Sequence, residues 1–343
     1  MYDDNDLTNR FRIGFWKRPL FRTVIALVTL VIIHALLLKI KEPGAGLTDW
    51  LKVWTNLLRG YAGVGIVALG MTFVITSGGV DLSAGATAAA AAAVIVLFAD
   101  TGKHGILHML GLTGVTACAA AVCAGLIFGA LLGFLSGVLI TRGNIPPYLA
   151  TLGTMLLFRS LAGQALNGVT PVIPAEFGRI ALHQVWGAAY LPIIYWLILA
   201  VISWIILNRT IFGKYTAASG SSEKAAWLAG INVRRIRRLT YVIAGIAAAV
   251  AAIILVSTGG KPDYANAGSG YATDAITACI LGGCKLGGGS GNIAGAVMGT
   301  LIVAVINNLP GLADISPYIS EACKGAVIIA AVLYQGKKNT FYR

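Results

Sequence analysis

Apolar runs long enough to cross a lipid bilayer recur along almost the whole chain, and they decide its class before any single residue does. The first, "LFRTVIALVTLVIIHALLL" at residues 20–38, carries no charge after Arg22. A hydrocarbon core about 30 Å thick is crossed by a helix of about 20 such residues. No water is available there, so every backbone amide must bond inside its own segment, which selects helices. Further runs lie at residues 61–76, 84–99, 112–140, 145–163, 190–207, 241–257, 275–283, 293–306 and 318–334. The expectation is therefore an all-α polytopic membrane protein of about ten transmembrane helices, some short or broken. Nothing between the runs is long enough to fold alone, so residues 1–343 form one transmembrane domain. "LTDWLKVWTNLLRG", residues 47–60, places Trp50, Val53, Trp54, Leu57 and Leu58 on one face at helical spacing, which reads as a separate interfacial helix.

Composition enters where charge must be explained. Charged residues are 11% of the chain, against about 25% in a soluble domain. The net charge is nonetheless +13. In a soluble protein that would suggest nucleic acid. Among apolar spans it marks the cytoplasmic loops, and no nucleic-acid partner is expected. Most Lys and Arg fall on one side if both termini are cytoplasmic. That side holds residues 1–19, Arg142, the polar stretch 208–240, Lys285 and the tail 336–343. The polar start lacks a small-residue cleavage site, so no cleavable leader is expected.

Catalytic, metal and cofactor chemistry find no support. Cys118, Cys123, Cys279, Cys284 and Cys323 form no CxxC pair, so they read as small packing residues. His34, His104, His108 and His183 are dispersed.

Two interruptions stand out. "SGGVDLS" places Asp81 before the Ala-rich run 84–99, which is about 24 Å long at about 1.5 Å per residue and therefore short for a full crossing. Asp81 or Ser83 can cap that helix, and an acid inside a membrane chain is also a functional candidate. The Ala run itself reads as a close-packing surface. The second interruption is "LGGCKLGGGSGNIAGA". Gly78 to Leu82 and Gly282 to Leu286 share the pattern Gly-Gly-x-charged-Leu, which hints at two related halves. Gly-interrupted segments in corresponding halves point to a transport pathway, making Gly78, Gly79, Asp81, Ser83, Asp274, Gly282 and Gly283 its candidates. "GGGSG" lacks the Gly-Lys-Ser/Thr and the preceding strand of a phosphate loop.

"LGMTFVITSGGVDLSAGA" resembles the permease subunit of bacterial sugar ABC importers of the ribose, xylose and galactose type. "PPYLATLGTMLLFRSLA", "GKYTAASGSSEKAAWLAGINV", "LGGCKLGGGSGNIAGAVMGTLIVAVINN" and "KGAVIIAAVL" agree with that family in order. The resemblance implies a non-catalytic permease of the inner membrane that pairs with a second permease copy or paralogue. A separate ATPase and an extracytoplasmic sugar-binding protein would be its partners, the lipid bilayer its surroundings. Residues 208–240 would be the ATPase-coupling loop. In it Ser221 caps a short helix, Glu223 lies in its first turn, Gly230 ends it, and Ala225, Ala226, Trp227 and Leu228 form an apolar surface. The "RRIRR" that follows reads as an anchor to anionic lipid. An ion-coupled secondary transporter or channel, with Asp81 and Asp274 carrying ions, is the alternative.

Overall fold

A computed structural model describes residues 19–44, 46–102, 105–109, 111–169, 171–184, 189–259 and 267–314, with scattered positions from 316 to 329. The described residues form thirteen helices and no strand. In chain order they are α1 (Pro19–Lys41), α2 (Leu47–Thr76), α3 (Ala84–Ala99), α4 (Ile106–Met109), α5 (Gly114–Arg142), α6 (Pro147–Ala165) and α7 (Ala175–Leu182). Then come α8 (Leu191–Arg209), α9 (Ile211–Ser221), α10 (Glu223–Leu228), α11 (Val233–Gly259), α12 (Tyr271–Leu281) and α13 (Ile293–Leu312).

Six of these, α1, α2, α5, α8, α11 and α13, are long and apolar enough to cross a membrane. Helices α3 and α12 are the shorter apolar ones, as the interruptions at their ends require. The fifth expected crossing is helical as α6, though it is not among the six. The expected tenth crossing and the terminal segments fall largely outside the described residues. The separate interfacial helix at residues 47–60 is not found. It continues without a break into the following span as the 30-residue α2. No Pro lies between Leu47 and Thr76, and Gly60 and Gly63 lower helix propensity without blocking the hydrogen-bond ladder.

Helix α11 is the axis of the bundle, packing against α5, α2 and α3. Its crossing with α5 runs through Gly129, Gly133 and Gly245, where any Cβ would meet the facing backbone. Small residues at a crossing let two backbones approach. Helix α3 is buried on nearly every side between α5, α6 and α11, and Ala86 to Ala93 join Ile95, Val96 and Phe158 in one apolar cluster. The Ala run is thus a packing surface. Helices α1, α2, α12 and α13 pack together as a second group.

Candidate docking and gating site

The functional geometry begins with how α2 and α12 stop. Thr76 is the last residue of α2; Ser77 follows, then Gly78 at φ +84°. The Gly79 N–H donates to Val74 O at 3.0 Å and the Gly78 N–H to Ile75 O at 3.0 Å. This is the paired-bond ending that needs a left-handed residue just past the helix, where glycine avoids the Cβ clash. Helix α12 ends identically. The Cys284 N–H donates to Cys279 O at 2.9 Å, the Gly283 N–H donates to Ile280 O at 3.0 Å, and Gly283 sits at φ +88°. The left-handed positions are therefore Gly78 and Gly283. The sequence pattern, which aligns Gly78 with Gly282, is out of register by one residue. It matched letters, whereas the backbone demands glycine only at the left-handed position.

The residues after each ending are held by side chains. Asp81 Oδ1 accepts the Ser83 N–H at 2.8 Å and the Ser83 Oγ–H at 2.6 Å. Asp81 is 3% exposed, and no ion pair to it occurs among the described residues. Ser83 is the residue before α3, but its own side chain makes no capping bond. The acid, two residues before it, supplies the acceptor. In the other interruption Asn292 caps α13, its Oδ1 accepting the Gly295 N–H at 3.0 Å, while Cys284 Sγ accepts the Asn292 N–H at 3.4 Å. Cys279 Sγ reaches Ala68 O at 3.3 Å. Both thiols do more than fill space: Cys284 satisfies a backbone amide where α13 begins, and Cys279 ties α12 to the middle of α2. Asp274 lies apart, in the first turn of α12, accepting from Asn307 Nδ2 at 3.2 Å.

The expected coupling loop is almost wholly helical. Thr210 caps α9, accepting the Gly213 N–H at 3.3 Å. Ser222, and not Ser221, caps α10: its Oγ accepts the Ala225 N–H at 3.2 Å. Ser221 still belongs to α9 and donates its hydroxyl to Ala217 O at 3.0 Å. Adjacent serines compete for a cap, and the one with extended backbone (φ −160°) takes it. Glu223 is in the first turn, as expected. Gly230 ends α10 at φ +81°, with the Ile231 N–H donating to Ala226 O at 3.0 Å. Ala226 faces inward at 4% exposure, so the outward surface consists of Ala225, Trp227, Leu228 and Ala229. Trp227 and Leu228 are 69% and 70% exposed. Trp227 borders a cleft of about 760 Å³ lined also by Glu223, Lys224, Ile231, Asn232 and Arg234. Asn232 caps α11, accepting the Arg235 N–H at 3.0 Å.

These parts meet. Gly220, next to last in α9, lies against Thr76 O, and the Gly289 N–H donates to that same oxygen at 2.9 Å. A Cβ on Gly288 would stand 2.7 Å from Gly220 O and 2.8 Å from Gly78 Cα. The two interrupted helices and α9 therefore form one contact at one end of the bundle. Arg237 Nη1 pairs with Glu223 Oε2 at 2.8 Å, and its Nε donates to Ser77 O at 3.3 Å. One turn on, Tyr241 Oη donates to Val80 O at 3.1 Å. Sequence reasoning singled out the interruptions and the loop and took Arg237 only as part of the basic anchor; it gave no role to Ser77, Gly220, Tyr241 or Gly288, which with Arg237 join them. Gly220 inside an otherwise helical stretch was the available signal, since a glycine there costs helix propensity and needs a packing reason.

A bundle of apolar helices, two of them broken at glycine, with an exposed apolar helix at one end, defines a multi-pass membrane permease. The chain belongs to the family described as branched-chain amino acid transport system / permease component, whose profile matches residues 54–332. It is 38% identical over 291 residues to the ribose import permease protein RbsC of Bacillus subtilis, covering 83% of this chain and 84% of that protein. The ribose import permease protein RbsC of Escherichia coli K12 is 35% identical over 294 residues, 83% of this chain and 85% of its own length. The autoinducer 2 import system permease protein LsrD of Photorhabdus laumondii is 32% identical over 318 residues, 90% of this chain and 89% of its own. No solved structure matches the chain.

Proposed function

We propose that this chain is the membrane-spanning permease subunit of an ATP-driven importer for a monosaccharide or similar small polyol. It forms the translocation pathway with a second permease copy or paralogue in a bacterial inner membrane, both termini cytoplasmic. ATP hydrolysis occurs on a separate ATPase chain, and an extracytoplasmic binding protein delivers the sugar. The single observation behind this reading is the exposed α10, whose Trp227 and Leu228 lie outside the apolar bundle, while α9 just before it packs through Gly220 against both interruptions. An exposed aromatic and leucine on a short helix suit a partner's groove. The ribose and autoinducer-2 import relatives supply the substrate class.

In this reading residues 208–240 are the coupling loop and residues 1–19 and 336–343 are cytoplasmic flanks. The ten crossings form two related halves, supported by the identical endings of α2 and α12. Gly78, Gly79, Asp81, Ser83, Asp274, Gly282 and Gly283 line or hinge the pathway. Nucleotide-driven closure of the ATPases moves α10 on each permease, and the bundle alternates its opening. The ligand shifts that equilibrium only through its different affinity for the two states. The test is reconstitution in liposomes with the ATPase and the binding protein of the same importer. Uptake of ribose-type sugars should require all components and ATP. Uptake driven by a proton or sodium gradient without the ATPase overturns the reading.

A further inference from the structure

We infer that Arg237 is the positioning residue that carries movement of the docking helix α10 into the turn that ends α2. The inference rests on the importer reading above. Arg237 sits on the first turns of α11 and reaches two elements at once. Nη1 holds Glu223 of α10 at 2.8 Å, and Nε holds the carbonyl oxygen of Ser77 at 3.3 Å. Its side chain is 22% exposed, against 57% for Glu223, so it lies on the inner side of the pair. The neighbouring Arg238 bonds back to Arg234 O of its own helix instead.

The Ser77 carbonyl is well chosen for a lever. It lies past the last turn of α2, where helix carbonyls have no partner inside the helix. The flanking bonds, Tyr241 Oη to Val80 O and Gly289 N–H to Thr76 O, tie the same short segment to α11 and to the second interruption. A shift of this segment is thus felt by both broken helices. A guanidinium presents several donors in a fixed plane, so it can hold two acceptors in set directions; a lysine ammonium is a point charge on a flexible stem. The acid and the arginine here do more than anchor the loop to lipid.

The test compares wild type, Arg237→Lys, and the exchange Glu223→Arg with Arg237→Glu, each reconstituted with the ATPase and binding protein. Lysine keeps the charge and loses the double hold. The exchange restores an ion pair, but a glutamate cannot donate to Ser77 O. Arg237→Lys should assemble with the ATPase and hydrolyse ATP while sugar transported per ATP falls about tenfold, the scale of one lost charge-assisted hydrogen bond. The exchange, compared per assembled complex because Glu223 borders the docking cleft, should show the same fall. An unchanged ratio in assembled Arg237→Lys, or a restored ratio in the exchange, overturns the inference. Hydrogen exchange on the wild-type assembly covers variants that fail to assemble: a non-hydrolysable ATP analogue should change exchange at residues 77–80 together with 223–228. A response confined to 223–228 overturns it. Absence of ATP-dependent uptake in wild type removes the importer reading and this inference with it, whereas a normal wild type beside a normal Arg237→Lys removes this inference alone.

Discussion

At the scale of a residue, Asp81 shows why a chain this apolar keeps an acid in its interior. Its Oδ1 accepts both the amide and the hydroxyl of Ser83. Removing it leaves a buried amide without a partner, which costs about 1–3 kcal/mol. Asparagine keeps an acceptor and drops the charge. Asp81→Asn should therefore extract at wild-type yield and support near-normal uptake, while Asp81→Ala should melt lower and extract poorly. Full yield with lost transport in Asp81→Asn would show that the charge itself takes part in gating. The acid was legible in the sequence as a capping candidate, because it stands beside a glycine pair just before a helix, and equally as a functional one. Which of Asp81 and Ser83 accepts was not legible. Both can cap, and the backbone leading into α3 decides between them.

At the scale of an element, the glycines separate conformational strain from lack of space. Gly230 stands at φ +81° with open space around its Cα, and Gly220 has ordinary φ but no room at all. An L-residue in the left-handed region costs about 1–2 kcal/mol. Gly230→Ala should lose stability on that scale, readable in the melting temperature of the purified permease, and still bind its ATPase. Gly220→Ala must drive a methyl into Thr76 O and the Gly289 amide, both backbone and unable to rotate away. It should abolish transport and lower yield, and wild-type uptake in Gly220→Ala would refute the three-way contact. Within α10, Trp227→Ala should weaken ATPase copurification by about 2 kcal/mol or more, as truncated aromatic anchors do. Apolar periodicity made the long helices legible, because burial in lipid leaves few alternatives. Junctions were less legible. Helix α2 swallowed the expected interfacial helix, Ser222 displaced Ser221 as cap, and the two glycine pairs proved offset by one residue. Each depends on local φ and ψ, which the apolar pattern does not encode.

At the scale of the whole molecule, the question is what drives the transport cycle. The chain carries no phosphate-binding Gly-Lys-Ser/Thr motif. It does present Trp227 and Leu228 to solvent at the end where both interrupted helices converge. Burying such side chains contributes about 1.5–3 kcal/mol each, so a partner seated on two copies of this surface gains several kcal/mol from these residues alone. An ion-driven carrier has no comparable reason to keep an exposed aromatic there. It needs a charge that meets the ion and the pathway, yet the Asp81 carboxylate is turned onto Ser83 and Asp274 onto Asn307. The expected outcome is all-or-none. The permease alone in liposomes moves no sugar under a proton or sodium gradient. Adding the ATPase, the binding protein and ATP starts uptake, and vanadate, which traps ATPases after hydrolysis, stops it. Gradient-driven uptake by the permease alone, insensitive to vanadate, would place the chemistry at Asp81 or Asp274 and leave the docking surface without its function.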